Sequence, residues 1–581
     1  MPQARFDDLT GSSPSFRLTQ PAGILEARRI DEVAEVISGA ESSAARGLWV
    51  AGFVCYEAAP GLDPSLVVKE PSRDLPLAWF AMFEGREETT LPEPKDEPAP
   101  PGLWAPSVKR LDYERAVGSI REAIAAGETY QVNHTFRLRA TIRGDDRGLY
   151  RDLCYAQRGG SGAYLDAGRF KILSASPELF FRIDDGSITT RPMKGTAPRG
   201  RWPEEDERVR ADLLASAKER AENAMIVDLL RNDLARIAQT GTVTWDDVFS
   251  AERYETVWQL TTTVLASLPA STPLVDVFRA LFPSGSVTGA PKVRTMELIA
   301  NLEDSPRGVY CGAVGYISPS GSSGAKASFN VPIRTVVLDT DTGLAEYGVG
   351  GGITFDSSAS GEYEETVTKA RVLTVRRPPF QLFETMRYEP ATGVRNRERH
   401  LLRLKASADH FGFDPTQVDA ELDRAIEHLP PRPLRIRLLL SRNGRSVVEV
   451  SPLPNVQEEP VRLEIDTEPV DPSDVFLFHK TTRRRVYTDA KDRHPDADDV
   501  LLTNDRGEIT ESTIANVAVR FDDGWLTPAL DCGLLPGIGR AIEIEEGRVK
   551  EARIAIEDLR SAGQIALISS VRGWRTAELL G

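Results

Sequence analysis

"LDYERAVGSIREAIAAGETYQVNHTFRLRATI" (residues 111–142) changes its hydrophobic period halfway along. Up to Ala126 the apolar residues Tyr113, Val117, Ile120 and Ile124 recur every three or four positions, which is the spacing of one helix face. Gly127 closes that pattern, as a glycine just past a helix end does. From Gln131 onward the period falls to two, with Val132, Phe136, Leu138, Ala140 and Ile142 on one side, so a half-buried strand is predicted. Strand-like runs follow at "GAYLDAGRFKILSASPELFFRI" (162–183), "GVYCGAVGYISP" (308–319), "SFNVPIRTVVLD" (328–339) and "LAEYGVGGGITF" (344–355). Long helical stretches cover 204–238 and 360–377. Strands grouped apart from helices, with many hairpin-like turns, predict an α+β domain with large antiparallel sheets.

At "RRPPFQLFETMRYEP" (376–390) two prolines stop the last helix and a new set of strands and helices begins. The boundary is placed at 376–380, giving domains over 1–376 and 380–581, both α+β. "REETTLPEPKDEPAPPGLWAP" (86–106) is too polar and proline-rich to pack, and reads as an exposed excursion.

A chain of 581 residues exceeds what one hydrophobic core supports. Its formal charge of −16 argues against a nucleic-acid or anionic-membrane partner. "TTRRRVY" (481–487), the one dense basic cluster, suits small carboxylates or phosphates, or simply a solvated face. Cys55, Cys154, Cys311 and Cys532 lie far apart and predict neither a disulfide framework nor a zinc site. With no apolar leader and no span of membrane length, a soluble cytoplasmic protein is expected.

The chemistry begins at "RPMKGTAPRG" (191–200), where Lys194 sits between apolar Met193 and flexible Gly195. Burial disfavours the charged form of a lysine, and a lysine so lowered is a nucleophile; otherwise it is an ordinary loop cation. Glu219 and Glu222 share one helix face, and Glu362 and Glu365 repeat the spacing. Two such pairs brought together could hold Mg²⁺, although each alone is more often an exposed helix face. "PSGSVTGAPKVRTMELI" (283–299), with Thr288, offers backbone N–H groups to an anion ahead of a helix. Gly350, Gly351 and Gly352 let backbone approach a ligand closely. None of this is a nucleotide-binding fingerprint.

"SPELFF" (176–181), "KGTAPRG" (194–200), "AENAMIVDLLRND" (221–233), "SGSVTGAPK" (284–292), "YCGAVGY" (310–316), "IRTVVL" (333–338), "GVGGGITFDS" (348–357) and "EYEETVTKA" (362–370) stand in the order of one family. The first half resembles the chorismate-utilising enzymes: the large subunits of anthranilate and aminodeoxychorismate synthase, and the isochorismate and salicylate synthases. The resemblance implies Mg²⁺ on Glu219, Glu222, Glu362 and Glu365, and chorismate carboxylates on Tyr310, Arg334 and Gly350 to Gly352. It also implies that Lys194 attacks ring carbon C2, because the aminodeoxychorismate branch carries lysine there and the anthranilate branch alanine. Glu178 matches the carboxylate that protonates the leaving 4-hydroxyl, a role that wants a raised pKa. In "TVWQLTTTV" (256–264) Gln259 replaces a histidine of many relatives, and a glutamine cannot shuttle protons.

From residue 380 on there are four lysines. Lys405 lies in a helical pattern, and Lys491 and Lys550 sit among charges, whereas Lys480 follows apolar "VFLFH" (475–479), read as a strand end. A pyridoxal phosphate enzyme needs a shielded lysine, so Lys480 is selected by elimination; a strand-end lysine paired with an acid is the alternative. "FETMRYEPATGVRNRERHLLRLKASADHFGF" (383–413), "HKTTRRRVY" (479–487), "NDRGEITESTIANVAV" (504–519) and "LLPGIGRA" (534–541) resemble the fold-type IV pyridoxal phosphate enzymes. These include branched-chain and D-amino-acid aminotransferases and aminodeoxychorismate lyase. The resemblance implies Lys480 as Schiff-base lysine, Arg403 on the phosphate and Glu511 on the pyridine nitrogen. At Gly539, where relatives often carry a phosphate-binding side chain, only backbone is available, with Ser512, Thr513 and Asn516 as candidate substitutes. Tyr487 is a candidate for the cofactor hydroxyl.

Together the halves imply a bifunctional route from chorismate through 4-amino-4-deoxychorismate to 4-aminobenzoate and pyruvate, feeding folate synthesis. No glycine-flanked cysteine of a glutamine amidotransferase occurs, so ammonia is expected from a separate glutaminase subunit. A homodimer through the second half is also expected. The alternatives are an anthranilate- or salicylate-forming half joined to an aminotransferase, or a first half that binds chorismate only as a regulator.

Overall fold

The computed structural model describes residues 1–93, 103–321, 326–374, 379–453 and 459–580. Much of the excursion predicted over 86–106, and of the boundary at 376–380, lies outside these residues. The chain divides into two compact units, Met1–Pro198 with Arg210–Pro379, and Arg199–Val209 with Phe380–Gly581.

In the first unit the opening stretch forms the helix Arg110–Ala125 and the strand Gln131–Thr141, with Gly127 at φ +77° between them. The helix buries Tyr113, Ala116, Val117, Ile120 and Ala123. Each large side chain among these contributes about 2 kcal/mol by leaving water. The strand pairs antiparallel with Leu344–Ile353 over its full length, which sets Gly350, Gly351 and Gly352 opposite Thr135, His134 and Asn133. Among the described residues eighteen strands join in one connected antiparallel sheet system, as the α+β reading expects. The helix predicted over 204–238 is two helices, Pro203–Ala215 and Ala217–Ala235. Ser216 breaks it, because its side chain accepts from the Glu219 N–H (3.3 Å) and starts a new helix there.

The second unit holds a four-stranded and an eight-stranded sheet, the latter mixed, with Val461–Ile465 and Asp499–Thr503 parallel. The segment 199–209, which the sequence reading kept in the first domain, packs within this unit. Trp202 lies 5.0 Å from the Phe478 ring, and the Arg201 carbonyl is 3.1 Å from His479 Nε2. "VFLFH" is not a strand end but a 3₁₀ turn, Val475–Leu477, capped by the Asp474 carboxylate. Among the described residues no helix is long and apolar enough to cross a membrane.

Candidate active sites

Lys194 sits on the strand Met193–Pro198, which pairs with Val257–Ser267 and slips register between Met193 and Thr196. Gly195, at φ +96°, makes the slip: a Cβ there would meet Glu219 Oε2 at 3.0 Å and the Leu260 Cβ at 3.1 Å. A bulge of this kind re-aims one side chain out of the ladder, here the Lys194 amine. Gln259 holds the bulge, donating to the Gly195 carbonyl (2.7 Å) and accepting from Thr196 Oγ1 (3.0 Å). Its amide is thus committed to positioning the lysine backbone. Asn223 adds a donor to the Lys194 carbonyl (3.4 Å).

The helix Ala217–Ala235 brings Glu219 and Glu222, and the helix Ala359–Ala370 brings Glu362 and Glu365, around this amine. Glu222 lies 3.8 Å from Lys194 Nζ. Burial lowers the Lys194 pKa from its ordinary value, against the pull of Glu222 and the second pair. Burial and repulsion from its neighbour raise both Glu219 and Glu362, whereas the Lys369 ammonium (2.8 Å) lowers Glu365. Among the described residues no three carboxylate, histidine or cysteine groups stand at metal-ligand spacing. The four glutamates are nevertheless the hard oxygen donors that Mg²⁺ takes, and the repulsion that raises Glu219 and Glu362 is one that a cation would relieve. Glu178 is buried, accepts from Ser286 Oγ (2.5 Å), and is pushed up to about 7 by burial, with Ser286 and Lys194 opposing.

Gly352 borders the lysine directly: a Cβ there would lie 2.2 Å from Lys194 Nζ and 2.7 Å from Gln131 Nε2. Gly351 would meet Glu362 Oε2 at 3.1 Å, and Gly350 the His134 carbonyl at 2.3 Å. Gln131 escaped the sequence reading. It is fully buried, both its side-chain polar atoms lack a hydrogen-bond partner among the described residues, and its amide lies beside the Lys194 amine. The available signal was an amide opening the strand's polar face, followed at alternate positions by Asn133, Thr135 and Arg137, which are also buried. Gly352→Ala is expected to displace the amine by about 1 Å and cut kcat/KM of the reaction at this site about 100-fold, with the melting temperature little changed. Steady-state kinetics beside a thermal melt check this.

Other expected substrate contacts stand further off. The Tyr310 ring lies under the Arg137 guanidinium (5.1 Å) and beside Gly348, where a Cβ would touch it at 2.3 Å. Arg334 donates to Gln157, and Thr288 bonds the Ser284 carbonyl within its own turn (3.0 Å). The Thr288 carbonyl accepts from Asn133 N (2.8 Å), the residue opposite Gly352. Among the described residues no hydrogen bond or ion pair joins these three side chains to Lys194.

In the second unit a cavity of about 360 Å³ is lined by Lys480, Arg403, Glu511, Asn516, Gly539 and Tyr487, among others. Lys480 follows the 3₁₀ turn rather than a strand, with its ammonium over the Phe383 ring (4.9 Å). Burial first, then Arg403, lowers its pKa to about 8. Glu511 accepts from the Tyr487 hydroxyl (2.8 Å), Leu535 N (3.1 Å) and Asn516 Nδ2 (3.2 Å), and burial lifts it to about 7. Asn516 and Tyr487 therefore act on Glu511. Arg403 donates to Glu384 (2.9 and 2.7 Å) and to the Pro536 carbonyl (2.9 Å), which leaves two of its five N–H groups for an anion. Glu384 is held at about 2, burial being outweighed by Arg403 and His400. His400, bonded to Glu384 (2.7 Å), is 2.7 Å from Ser570 Oγ, a link that the sequence did not reveal. Gly539 lies in the first turn of the helix Ile538–Glu545, where backbone N–H groups are free for an anion. A Cβ at Gly539 would meet Ser569 C at 3.0 Å and Ser570 N at 3.2 Å. Ser512 and Thr513 are spent on Asp499 (2.8 and 2.5 Å) and cannot substitute for the missing side chain. The donor set, a shielded amine, a buried acid opposite it and a helix N-terminus, fits pyridoxal phosphate.

Residues 3–375 match the family model of the chorismate binding enzymes, and residues 381–579 that of the class IV amino-transferases. Over 303 residues the chain is 44% identical to an aminodeoxychorismate synthase of Streptomyces griseus, covering 51% of this chain and 41% of the relative. It is 40% identical over 271 residues to anthranilate synthase component 1 of Aquifex aeolicus, covering 46% and 53%. The chain thus spans about half the length of these curated relatives, or less. Among solved structures, anthranilate synthase component I from Streptococcus pneumoniae matches with a TM-score of 0.54 at 27% identity, over 63% of this chain and 93% of that one. Two relatives of different activity match about equally, so overall likeness does not choose the branch. The chain belongs to the chorismate binding enzymes, with a class IV amino-transferase domain following in the same polypeptide.

Proposed function

We propose that the first unit aminates chorismate to 4-amino-4-deoxychorismate and that the second eliminates pyruvate from it to give 4-aminobenzoate. The observation that carries the reading is the desolvated Lys194 amine, held between Glu178 and four glutamates. A neutral amine there adds to ring carbon C2, the double bond shifts, and the C4–O bond breaks as Glu178 supplies the proton that makes water the leaving group. Ammonia then adds at C4, the double bond returns, and the C2–N bond to Lys194 breaks, which restores the free amine and leaves a proton for the Glu178 carboxylate. Mg²⁺ on Glu219, Glu222, Glu362 and Glu365 would neutralise those carboxylates and anchor an anionic substrate.

In the second unit Lys480, Glu511, Arg403 and the helix N-terminus at Gly539 would hold pyridoxal phosphate, an electron sink for the carbon bearing the amine. The Lys480 amine moves the proton of that carbon, and Glu511 keeps the pyridine nitrogen protonated. Loss of the enolpyruvyl group as pyruvate makes the ring aromatic. We further propose a separate glutaminase subunit as the ammonia source, a homodimer, a cytoplasmic location and a role in folate synthesis.

Purified chain given chorismate, Mg²⁺, an ammonium salt and pyridoxal phosphate is expected to release 4-aminobenzoate and pyruvate in equal amounts. 2-Aminobenzoate as the product would select the anthranilate branch, and absence of any aromatic amine would reject both. The pH dependence of the first step is a second check. Glu178 serves as acid only while protonated, so the rate falls as pH rises through about 7. Glu178→Gln removes that alkaline limb and lowers the rate about 100-fold.

A further inference from the structure

The cavity around Lys480 is lined by seven cations, Lys480 and Arg403, Arg435, Arg437, Arg484, Arg572 and Arg575, and by one acid, Glu511. Arg403 is paired with Glu384 and Arg437 with Glu449 (3.3 Å). Arg484 donates to the Thr513 carbonyl, and Arg435 to Ser451 Oγ (3.0 Å). Arg572 and Arg575 stand apart. Arg572 lies in the turn of the hairpin in which Gln564–Ser569 pairs with Gly573–Leu579, and Arg575 lies on its second strand, opposite Leu567. Arg572 uses its backbone N–H on Ser569 Oγ (3.1 Å), and its guanidinium pairs with no carboxylate among the described residues. Arg575 Nε and Nη2 are buried without a hydrogen-bond partner. Burial, and then repulsion from Arg572, disfavours the charge on Arg575, with attraction to Asp499 the smaller, opposing effect.

A cofactor phosphate at the Gly539 helix N-terminus brings at most two negative charges, which the helix end and Arg403 already meet. Buried guanidinium donors left over are costly unless a ligand completes them. An apolar amino acid would bring a single carboxylate and leave one of the two arginines uncompensated.

We infer that Arg572 and Arg575 form the carboxylate anchor of the second site, and that this site selects an amino compound carrying two carboxylates over an amino acid with an apolar side chain. The identity of that compound as 4-amino-4-deoxychorismate rests on the proposed second reaction; the demand for two carboxylates rests on the cavity alone.

The test uses the full chain loaded with pyridoxal phosphate. Calorimetric titration with benzene-1,3-dicarboxylate and with benzoate is expected to show the dicarboxylate binding at least about tenfold tighter, and Arg575→Met to remove most of that difference. Arg575→Lys is expected to keep part of it. With 4-amino-4-deoxychorismate as substrate, Arg575→Met raises KM about tenfold while kcat changes less than about threefold. Cofactor content, read by absorbance, stays at the native level. Should Arg575→Met fail to hold cofactor, Arg572→Met carries the same expectation. Equal binding of the two acids, or an unchanged KM in both variants, overturns the inference even if pyruvate is formed. Arginine-dependent dicarboxylate binding in a chain that forms no pyruvate upholds the anchor and rejects the proposed reaction.

Discussion

Lys194→Ala is expected to cut ammonia-dependent conversion of chorismate by at least about 10³-fold. The reason lies in the leaving group: without a covalent bond at C2, the ring must expel its 4-hydroxyl before ammonia arrives, and Glu178 alone would have to drive that loss. The variant should fold, because the strand register around residue 194 is fixed by backbone contacts. Gln259 grips Gly195 and Thr196, and Asn223 the carbonyl of residue 194, and none of these touches the amine. The second reaction serves as the internal control, since supplied 4-amino-4-deoxychorismate should still give 4-aminobenzoate at the native rate. Trapping the native protein with chorismate and no ammonia should add mass to the peptide containing Lys194. Amination by the alanine variant within about tenfold of the native rate would leave the amine as a charge neutraliser for the glutamates rather than a nucleophile.

The opening helix and strand were legible because their periods, near 3.6 and 2, report directly which face is buried. Lys194, Glu178 and the four glutamates stood out as charges inside otherwise apolar or glycine-rich runs, and their order along the chain carried the family resemblance. Other features depend on partners far away in sequence, where no local pattern points. The break at Ser216 looks like one more polar residue in a helical stretch until its hydroxyl takes the Glu219 N–H. "VFLFH" has the composition of a strand, yet the Asp474 cap turns it into a 3₁₀ helix. Arg199–Val209 joins the second unit through Trp202 against Phe478, a contact 276 positions apart that hydropathy does not encode.

Side-chain commitments were the least legible of all. Gln259 read as a lost proton shuttle, whereas it is a clamp on the lysine strand, with donor and acceptor both used. Arg403 read as a free phosphate ligand, but most of its donors are taken by Glu384 and Pro536. Gln131 carried no motif value in isolation; only the pairing of its strand with Leu344–Ile353 brings its unpartnered amide to Gly352 and the Lys194 amine. In each case residue type restricted the chemistry, and tertiary pairing decided which atom was left to do it.

Lys480→Ala is expected to abolish pyruvate release, by at least about 10³-fold, and to leave 4-amino-4-deoxychorismate accumulating from chorismate. In the proposed reaction one amine has two duties, attachment of the cofactor and movement of the substrate proton, so its loss would remove both. The surroundings suit each duty. A pKa near 8 leaves an appreciable neutral fraction at physiological pH, and the amine lies over the Phe383 ring in the cavity wall. Glu511 itself, lifted to about 7, can share its proton with a pyridine nitrogen, and Tyr487 and Asn516 fix its two oxygens for that contact. Borohydride treatment of native protein with pyridoxal phosphate should fix cofactor mass to the peptide containing Lys480, and the alanine variant should gain none. Cofactor mass appearing instead on Lys405, Lys491 or Lys550 would transfer the role to another lysine and detach the cavity from the second reaction. Retention of pyruvate release by Lys480→Ala would do the same without any labelling, because no other lysine lines the cavity among the described residues.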